Sequence, residues 1–370
     1  MTGWEAVERA SVADTLAWAE ARPWVRAMAA CAQDALWHAE GDVWTHTRMV
    51  AAELERLAGW ADFDRGARLK LVFTALFHDA GKPATTVLDP TTGRTRSPKH
   101  ALVGVGIARA VLRELGAPLA FREDVANLVR YHGRPPYLLE KPDPAREVVA
   151  LSWAVDHRLL YAFALADARG RRAAETARPE DDLHLWKLAA EENGCFDRPY
   201  PFANDHARFL FFRDELSSLH YTPREEYRCT VTLLAGLPGA GKDTWLAANR
   251  PGLPVVSLDD IRADLDTAPT GDQGVVIQTA RERCREHLRA GRDFAFNATN
   301  TVRQTRGRWV DLFADYGARV EIRYLEPPLP VVYRQNDRRN PGVPRRVIDG
   351  LVDRLEPPAR TEGHAVELIG

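Results

Sequence analysis

At 370 residues, 45% of them apolar, the chain is long enough for two buried cores, because a single core stops growing at roughly 250–300 residues. Its formal net charge of −2, with 21 basic against 19 acidic residues from Arg228 onward, neither demands nor excludes a nucleic-acid partner. Cys31, Cys195, Cys229 and Cys284 lie far apart without a CxxC pair, which counts against a disulfide framework and a thiolate zinc knuckle. No apolar run approaches the roughly 20 residues that span a bilayer, and Met1-Thr2-Gly3-Trp4-Glu5 lacks the order of a signal peptide, so a soluble cytoplasmic protein that does not engage membranes is expected.

Helical apolar spacing then recurs at Asp42 to Leu57, Leu69 to Phe77, Ala101 to Leu115, Arg122 to Tyr131 and Val148 to Ala168. The chain reads as all-α up to about residue 220. Within it, Gly170 to Asp182 is charged and Ala-rich, the signature of a solvated helix or surface loop, and residues from about 170 to 222 read as linker helices. A turn-like Thr222-Pro223-Arg224-Glu225-Glu226 precedes a change to strand grammar in Cys229 to Ala235. Later apolar runs, Pro254 to Ser257, Phe294 to Phe296 and Val320 to Tyr324, alternate with helical stretches, the pattern of a parallel sheet with crossover helices. The expectation is a multidomain protein, an all-α domain over 1–222 followed by an α/β domain over 228–370.

Ligand-type side chains recur through the α half: His46 in the first stretch, His78-Asp79 at the end of the second, His100 after a polar loop, His132 in Tyr131-His132-Gly133, and Asp167 in Leu165-Ala166-Asp167-Ala168. A lone histidine is more often a satisfied core or surface residue; an adjacent His-Asp pair with outlying partners is harder to read that way. Nitrogen and oxygen ligands without thiolate suit Mn, Fe, Co, Ni or Zn better than Ca. Lys82 either contacts a phosphate or is a plain surface lysine, and His38, His157, His184, His206 and His220 fit no such frame and are expected to be structural. The pattern resembles the HD phosphohydrolase superfamily. That resemblance implies His46, His78, Asp79 and Asp167 as the basic metal site and His100 and His132 as the pair holding a second ion. Asp79 would then bridge one or two divalent transition metals and take part in catalysis.

In the α/β half, strand, loop and helix follow one another around Gly236-Leu237-Pro238-Gly239-Ala240-Gly241-Lys242, the order a phosphate cradle requires. The backbone of Gly236, Gly239, Ala240 and Gly241 would face the anion, and Lys242 would reach the terminal phosphates of ATP or another NTP with Mg²⁺. Asp243 stands where a Ser or Thr hydroxyl usually meets Mg²⁺, with Thr244 one residue later, which puts metal coordination by this segment in question. Ser257-Leu258-Asp259-Asp260-Ile261-Arg262 places carboxylates and an arginine beyond the end of a strand, where a carboxylate can take a proton from an attacking hydroxyl or cap the helix that follows. Arg334, Arg338 and Arg339 look like a lid, although arginine-rich helices are also simply solvated faces.

Residues 228–358 resemble the polynucleotide 5′-kinase family in the glycine loop, Asp259-Asp260-x-Arg262, Ala298-Thr299-Asn300 and the run into Val343-Pro344 and Arg354-Leu355-Glu356-Pro357-Pro358. The resemblance implies Asp259 as general base on a 5′-hydroxyl and Arg262 on the acceptor phosphate, with Arg339 on the donor phosphates. Gln335 departs from the pattern, so that Arg334 or Arg338 would substitute. Together the two halves resemble the bacterial end-healing enzymes that fuse an HD phosphoesterase to a polynucleotide kinase. Such an enzyme would act on RNA or DNA ends and supply them to a ligase. Two other readings fit the same motifs: a small-molecule or nucleotide kinase fused to an HD nucleotide hydrolase, and a nucleotide-regulated RNA-binding switch.

Overall fold

The computed structural model describes residues 3–172, 179–268, 271–340 and 342–370, so positions 173–178 of the Ala-rich stretch lie outside the described residues. The chain divides into two compact units, Met1–Pro201 and Phe202–Gly370.

The first unit opens with α1 (Trp4–Arg9), α2 (Val12–Glu20) and α3 (Pro23–Ala29), the second of them started by a reciprocal Ser11–Asp14 capping box. Asp42 caps α4 (Val43–Arg56) by accepting the Thr45 amide, and Asp64 caps α5 (Arg65–Phe77) by accepting that of Ala67. A single turn, α6 (Lys82–Thr85), leads to a two-stranded antiparallel hairpin, β1 (Val87–Leu88) with β2 (Thr95–Arg96), in a half expected to be entirely helical. There follow α7 (His100–Glu114), α8 (Leu119–Tyr131), α9 (Pro144–Ala154), α10 (His157–Arg169) and α11 (Pro179–Glu192).

The continuous helix expected from Val148 to Ala168 is broken between α9 and α10 by a bend of 101°. Val155 turns extended, and Asp156 caps the new helix by accepting the Arg158 amide. α5 is apolar nearly all round and sits between two cores. Phe73, Leu76 and Phe77 enter one with Val105, Leu112 and Val125, whereas Leu71 and Ala75 enter the other with Leu54, Leu160, Phe163 and Trp186. The helix end carrying His78-Asp79 is thereby driven into the interior.

The second unit begins before the change of sequence grammar. α12 (Asp205–Phe212), which its helical spacing grouped with the first half, packs on the sheet: Asp205 pairs with Arg319 at 3.0 Å, and Phe209 stacks on His364 at 4.0 Å. The boundary expected at 222 is therefore corrected to Pro201/Phe202, because tertiary packing and not local periodicity assigns this helix. The strands β3 (Cys229–Gly236), β4 (Val255–Ser257), β5 (Phe294–Asn297), β6 (Ala318–Leu325) and β7 (Ala365–Ile369) form one parallel sheet in the order β4-β5-β3-β6-β7. Between them run α13 (Lys242–Asn249), α14 (Leu258–Asp264), α15 (Gln273–Arg289), α16 (Arg303–Asp315), α17 (Leu329–Asp337) and α18 (Arg345–Val352). β3 and β5 are buried along almost their whole length, as strands covered on both faces must be. β7 was not anticipated, being a short, half-exposed edge strand interrupted by Glu367. Among the described residues no single helix is long and apolar enough to cross a membrane.

Candidate functional site

Among the described residues, each unit holds a cluster of the expected site residues. In the first, four imidazoles converge from four helix ends or faces. His78 follows α5 and hydrogen-bonds through Nδ1 to the Ala75 carbonyl at 2.8 Å, His132 follows α8 and does the same to Val129 at 2.8 Å, and His100 opens α7 and does so to Ser97 at 2.8 Å. With Nδ1–H committed in this way, Nε2 of each ring is left as the inward, lone-pair-bearing nitrogen. His46, fully buried on α4, has no such carbonyl; its Nδ1 stands 2.9 Å from Glu40 Oε1.

The inward atoms meet around Asp79. His78 Nε2 lies 3.2 Å from Asp79 Oδ2, His100 Nε2 lies 3.4 Å from Oδ1, and His46 Nε2 lies 3.0 Å from Asp167 Oδ1 and 3.9 Å from Asp79 Oδ2. His100 and His132 face each other Nε2 to Nε2 at 3.4 Å. All six expected ligands are thus brought together, as two triads whose ligand atoms lie within 4.8 Å of one another: His46, His78 and Asp167, and Asp79, His100 and His132. Gly81 and Gly170 make this approach possible. A Cβ on Gly81 would stand 2.1 Å from the His100 carbonyl oxygen, and one on Gly170 would stand 2.8 Å from the Val50 amide.

The residues fit divalent metal. His78 Nε2 and Asp79 Oδ1 are buried without a hydrogen-bond partner, and two lone-pair nitrogens facing each other want an ion between them. Burial opposes the charge on Asp79, but His78 and Lys82 outweigh it and hold the carboxyl well below its usual range. Asp167 is likewise held low against burial by Arg171 and His46. Burial and the neighbouring His78 push His132 down to about 4, whereas hydrogen bonds to Asp167 and Glu40 overcome burial at His46 and lift it to about 9.

Two residues escaped the sequence. Glu40, whose side chain is wholly buried, is bonded to His38 Nδ1 at 2.8 Å on one oxygen, which also stands 2.9 Å from His46 Nδ1, and accepts the Arg172 amide at 2.9 Å on the other. His38, read as structural, therefore belongs to the support of the centre. No spacing rule points to a loop glutamate six residues before a ligand. The Lys82 ammonium pairs with Asp79 at 2.8 Å, and Arg171 pairs with Asp167 at 2.8 Å.

In the second unit β3 runs into the glycine loop and α13 rises from Lys242. Gly239, with φ +79°, lies so close to α17 that a Cβ would stand 2.7 Å from the Val332 carbonyl oxygen. Gln335 of α17 reaches toward Gly241, the place at which a lid arginine was expected. Lys242 Nζ donates to the Gly236 and Leu237 carbonyls at 3.0 Å each, and burial lowers it to about 8. Asp243 accepts from Asn297 Nδ2 at 2.5 Å, so it ties α13 to the end of β5, while Thr244 is exposed in the first turn of α13.

Asp259 lies in the first turn of α14. Its carboxylate takes Arg262 Nη1 at 2.7 Å and Arg339 Nη2 at 3.4 Å, and its side chain stays 69% exposed, open to an acceptor. The helix cap is Ser257, whose hydroxyl accepts the Asp260 amide at 3.3 Å; neither aspartate does that job. Arg334 and Arg338 are exposed on or beside α17, and only Arg339 of the three is joined to Asp259 by an ion pair among the described residues.

Two family matches follow this division. Residues 43–154 match the family described as HD domain and residues 231–358 the family described as AAA domain. Curated relatives include the CC-adding tRNA nucleotidyltransferase of Thermus thermophilus, 46% identical over 89 residues, 24% of this chain and 19% of the relative. The Multifunctional CCA protein of Halorhodospira halophila is 36% identical over 110 residues, 30% of this chain and 24% of the relative. The chain spans no more than about a quarter of the length of these relatives. It joins an N-terminal HD domain to a C-terminal AAA-type, P-loop kinase-like domain.

Proposed function

We propose that the protein heals nucleic-acid ends, its C-terminal unit phosphorylating 5′-hydroxyl termini and its N-terminal unit hydrolysing 2′,3′-cyclic or terminal phosphates. The observation that carries this reading is Asp259, an exposed carboxylate gripped by Arg262 on its own helix and by Arg339 from beyond α17, at the carboxyl edge of the sheet that bears the glycine loop. A base placed there accepts the proton of an attacking hydroxyl while the phosphoryl group passes from the nucleotide to that oxygen. Lys242, now bonded to loop carbonyls, turns to the terminal phosphates when they arrive. Arg339 shifts from Asp259 toward the same phosphates, which frees the base as the donor binds. Arg262 remains to orient Asp259 or to meet the acceptor's phosphate.

In the N-terminal unit His46, His78, Asp79, His100, His132 and Asp167 would hold one or two divalent ions, which when bound supply Lewis-acid activation of water and neutralise phosphoryl oxygens. The chain itself contributes orientation through the committed Nδ1 hydrogens and two cations, Lys82 and Arg171, beside the two carboxylates. Relatives named for tRNA favour a polynucleotide over a small metabolite. Neither the geometry nor the relatives bring in a ligase.

The test is incubation with 5′-hydroxyl RNA and DNA oligonucleotides carrying 2′,3′-cyclic phosphate, with ATP, Mg²⁺ and Mn²⁺, beside Asp259→Asn and Asp79→Asn. Loss of 5′ transfer in the first variant alone and of 3′-end hydrolysis in the second alone is expected. Transfer to small nucleosides but to neither polymer would replace this reading with a small-molecule kinase.

A further inference from the structure

A cavity of about 1120 Å³ opens on the histidine-carboxylate centre. His100, Lys82 and Arg171 belong to its lining, and two aromatic side chains, Trp37 and Tyr137, expose 42% and 61% of their surface on its walls. Arg94 lies 5.8 Å from the Trp37 ring centroid, and beside a phosphate-handling centre the ring faces left open are suited to nucleobases, each of which offers a π-face. The size is that of a pocket for one or two nucleotides, since sites for small ligands run to about 300–1,000 Å³.

Charge narrows the ligand further. Lys82 and Arg171 sit directly against Asp79 and Asp167, so their attraction for phosphate is concentrated beside the centre. Farther out the lining carries Glu140, Asp181 and Asp182, all exposed, against one exposed arginine, Arg96, which pairs with Asp89 at 3.5 Å. A strand running out of the cavity would meet three exposed carboxylates and a single exposed arginine, not the continuous basic track that binders of extended single strands present. The same carboxylates are suitable acceptors for ribose hydroxyls and for the amino groups of bases.

We infer that this cavity binds a single terminal nucleotide, its phosphate at the metal-type centre, its base against Trp37 or Tyr137 and its sugar and base hydrogens toward the carboxylates of the rim, with no basic track for the strand behind it among the described residues. The inference rests on the phosphoesterase reading for its reaction but not for its binding. The N-terminal centre would thus work on the last nucleotide of any strand, and on free nucleoside phosphates of the same terminal chemistry.

The test uses the full chain loaded with Mn²⁺. A nucleoside 2′,3′-cyclic monophosphate, a dinucleotide and a long oligoribonucleotide sharing that end are compared for kcat/KM across a salt series, and nucleoside 2′- and 3′-monophosphates are titrated calorimetrically. Expected are kcat/KM values within about threefold of one another and a log–log salt slope no steeper than about −1, since each neutralised single-strand phosphate contributes about −0.7. Trp37→Ala and Tyr137→Ala should weaken monophosphate binding about tenfold when their Mn²⁺ content equals that of the wild type. A long strand favoured by a hundredfold with a steep salt slope, or monophosphate affinity indifferent to both substitutions, overturns the inference. Tight, Trp37-dependent binding of monophosphates without hydrolysis of any cyclic phosphate would instead uphold the cavity and refute the phosphoesterase.

Discussion

Glu40→Gln removes one charge from the support of the metal-type centre while keeping the shape of the side chain. In the wild type both carboxylate oxygens are engaged: Oε1 is bonded to His38 and stands 2.9 Å from His46 Nδ1, and Oε2 receives the Arg172 amide. An amide has one acceptor and one donor end. Whichever way it turns, its NH₂ meets either two imidazole N–H groups or a backbone N–H, so His46 loses its lock or the loop loses its tether to Arg172. Changes of this kind behind a ligating histidine cost about 10–100-fold in metal affinity, or about 1.4–2.7 kcal/mol. Because metal stabilises only the folded unit, the same energy is subtracted from metal-dependent stability. For a unit of this size, at about 2–4 °C per kcal/mol, the rise in Tm on adding Mn²⁺ should be smaller than in the wild type by about 3–11 °C. Differential scanning calorimetry with and without Mn²⁺, paired with titration of Mn²⁺ into the chelator-treated protein, reads both quantities. An unchanged Mn²⁺ affinity and an unchanged Tm increment in Glu40→Gln would refute the argument that Glu40 fixes His46 for metal.

Asp259→Asn should lower kcat for 5′ phosphorylation by about 10²–10⁴ with little change in ATP affinity, measured by steady-state kinetics; an equal loss in both would assign Asp259 to nucleotide binding. Gly239→Ala must carry a Cβ at φ +79° and 2.7 Å from the Val332 carbonyl oxygen, so it should raise KM for ATP at least tenfold while leaving 2′,3′-phosphoesterase activity intact. Unaltered ATP kinetics in that variant would mean the loop and α17 are not held as described. Buried His157, against Trp186, is pushed down to about 4 by burial and is neutral in the fold. The unfolded chain takes up its proton near 6.5, so this group's stability is complete above about 6.5 and lost as pH falls toward 4. Between pH 7 and pH 5 the loss should be about 2 kcal/mol, and His157→Leu should flatten that part of the pH–stability curve in urea unfolding. An identical acid slope in the variant would exclude His157 as its source.

What could be read in advance was periodic or motif-borne. Helical spacing located α4, α5, α7 and α8 to within a few residues, because their buried faces repeat every three or four positions. The glycine loop announced itself because each glycine answers a local backbone demand next to an apolar strand. His78-Asp79 stood out because two ligand types ended a helix with no other use for them. The break at Val155 was missed because apolar residues run through it on both sides, and β7 because a half-exposed edge strand has no strong alternation. α12 was assigned to the wrong unit because helical periodicity does not say which neighbour a helix buries itself against.

The sequence alone therefore determined the two kinds of domain, and it marked the glycine loop from Gly236 to Lys242 and six His and Asp side chains as candidates, since each follows from residue type and local spacing. Only the tertiary structure decided that those six meet in two triads, that Glu40 supports His46, that Arg339 reaches Asp259 across 80 positions of chain, and that Trp37 and Tyr137 share one cavity. These are contacts between segments distant in sequence. They are fixed by how helices pack on two cores and how crossovers return to one sheet edge, and no local pattern encodes that.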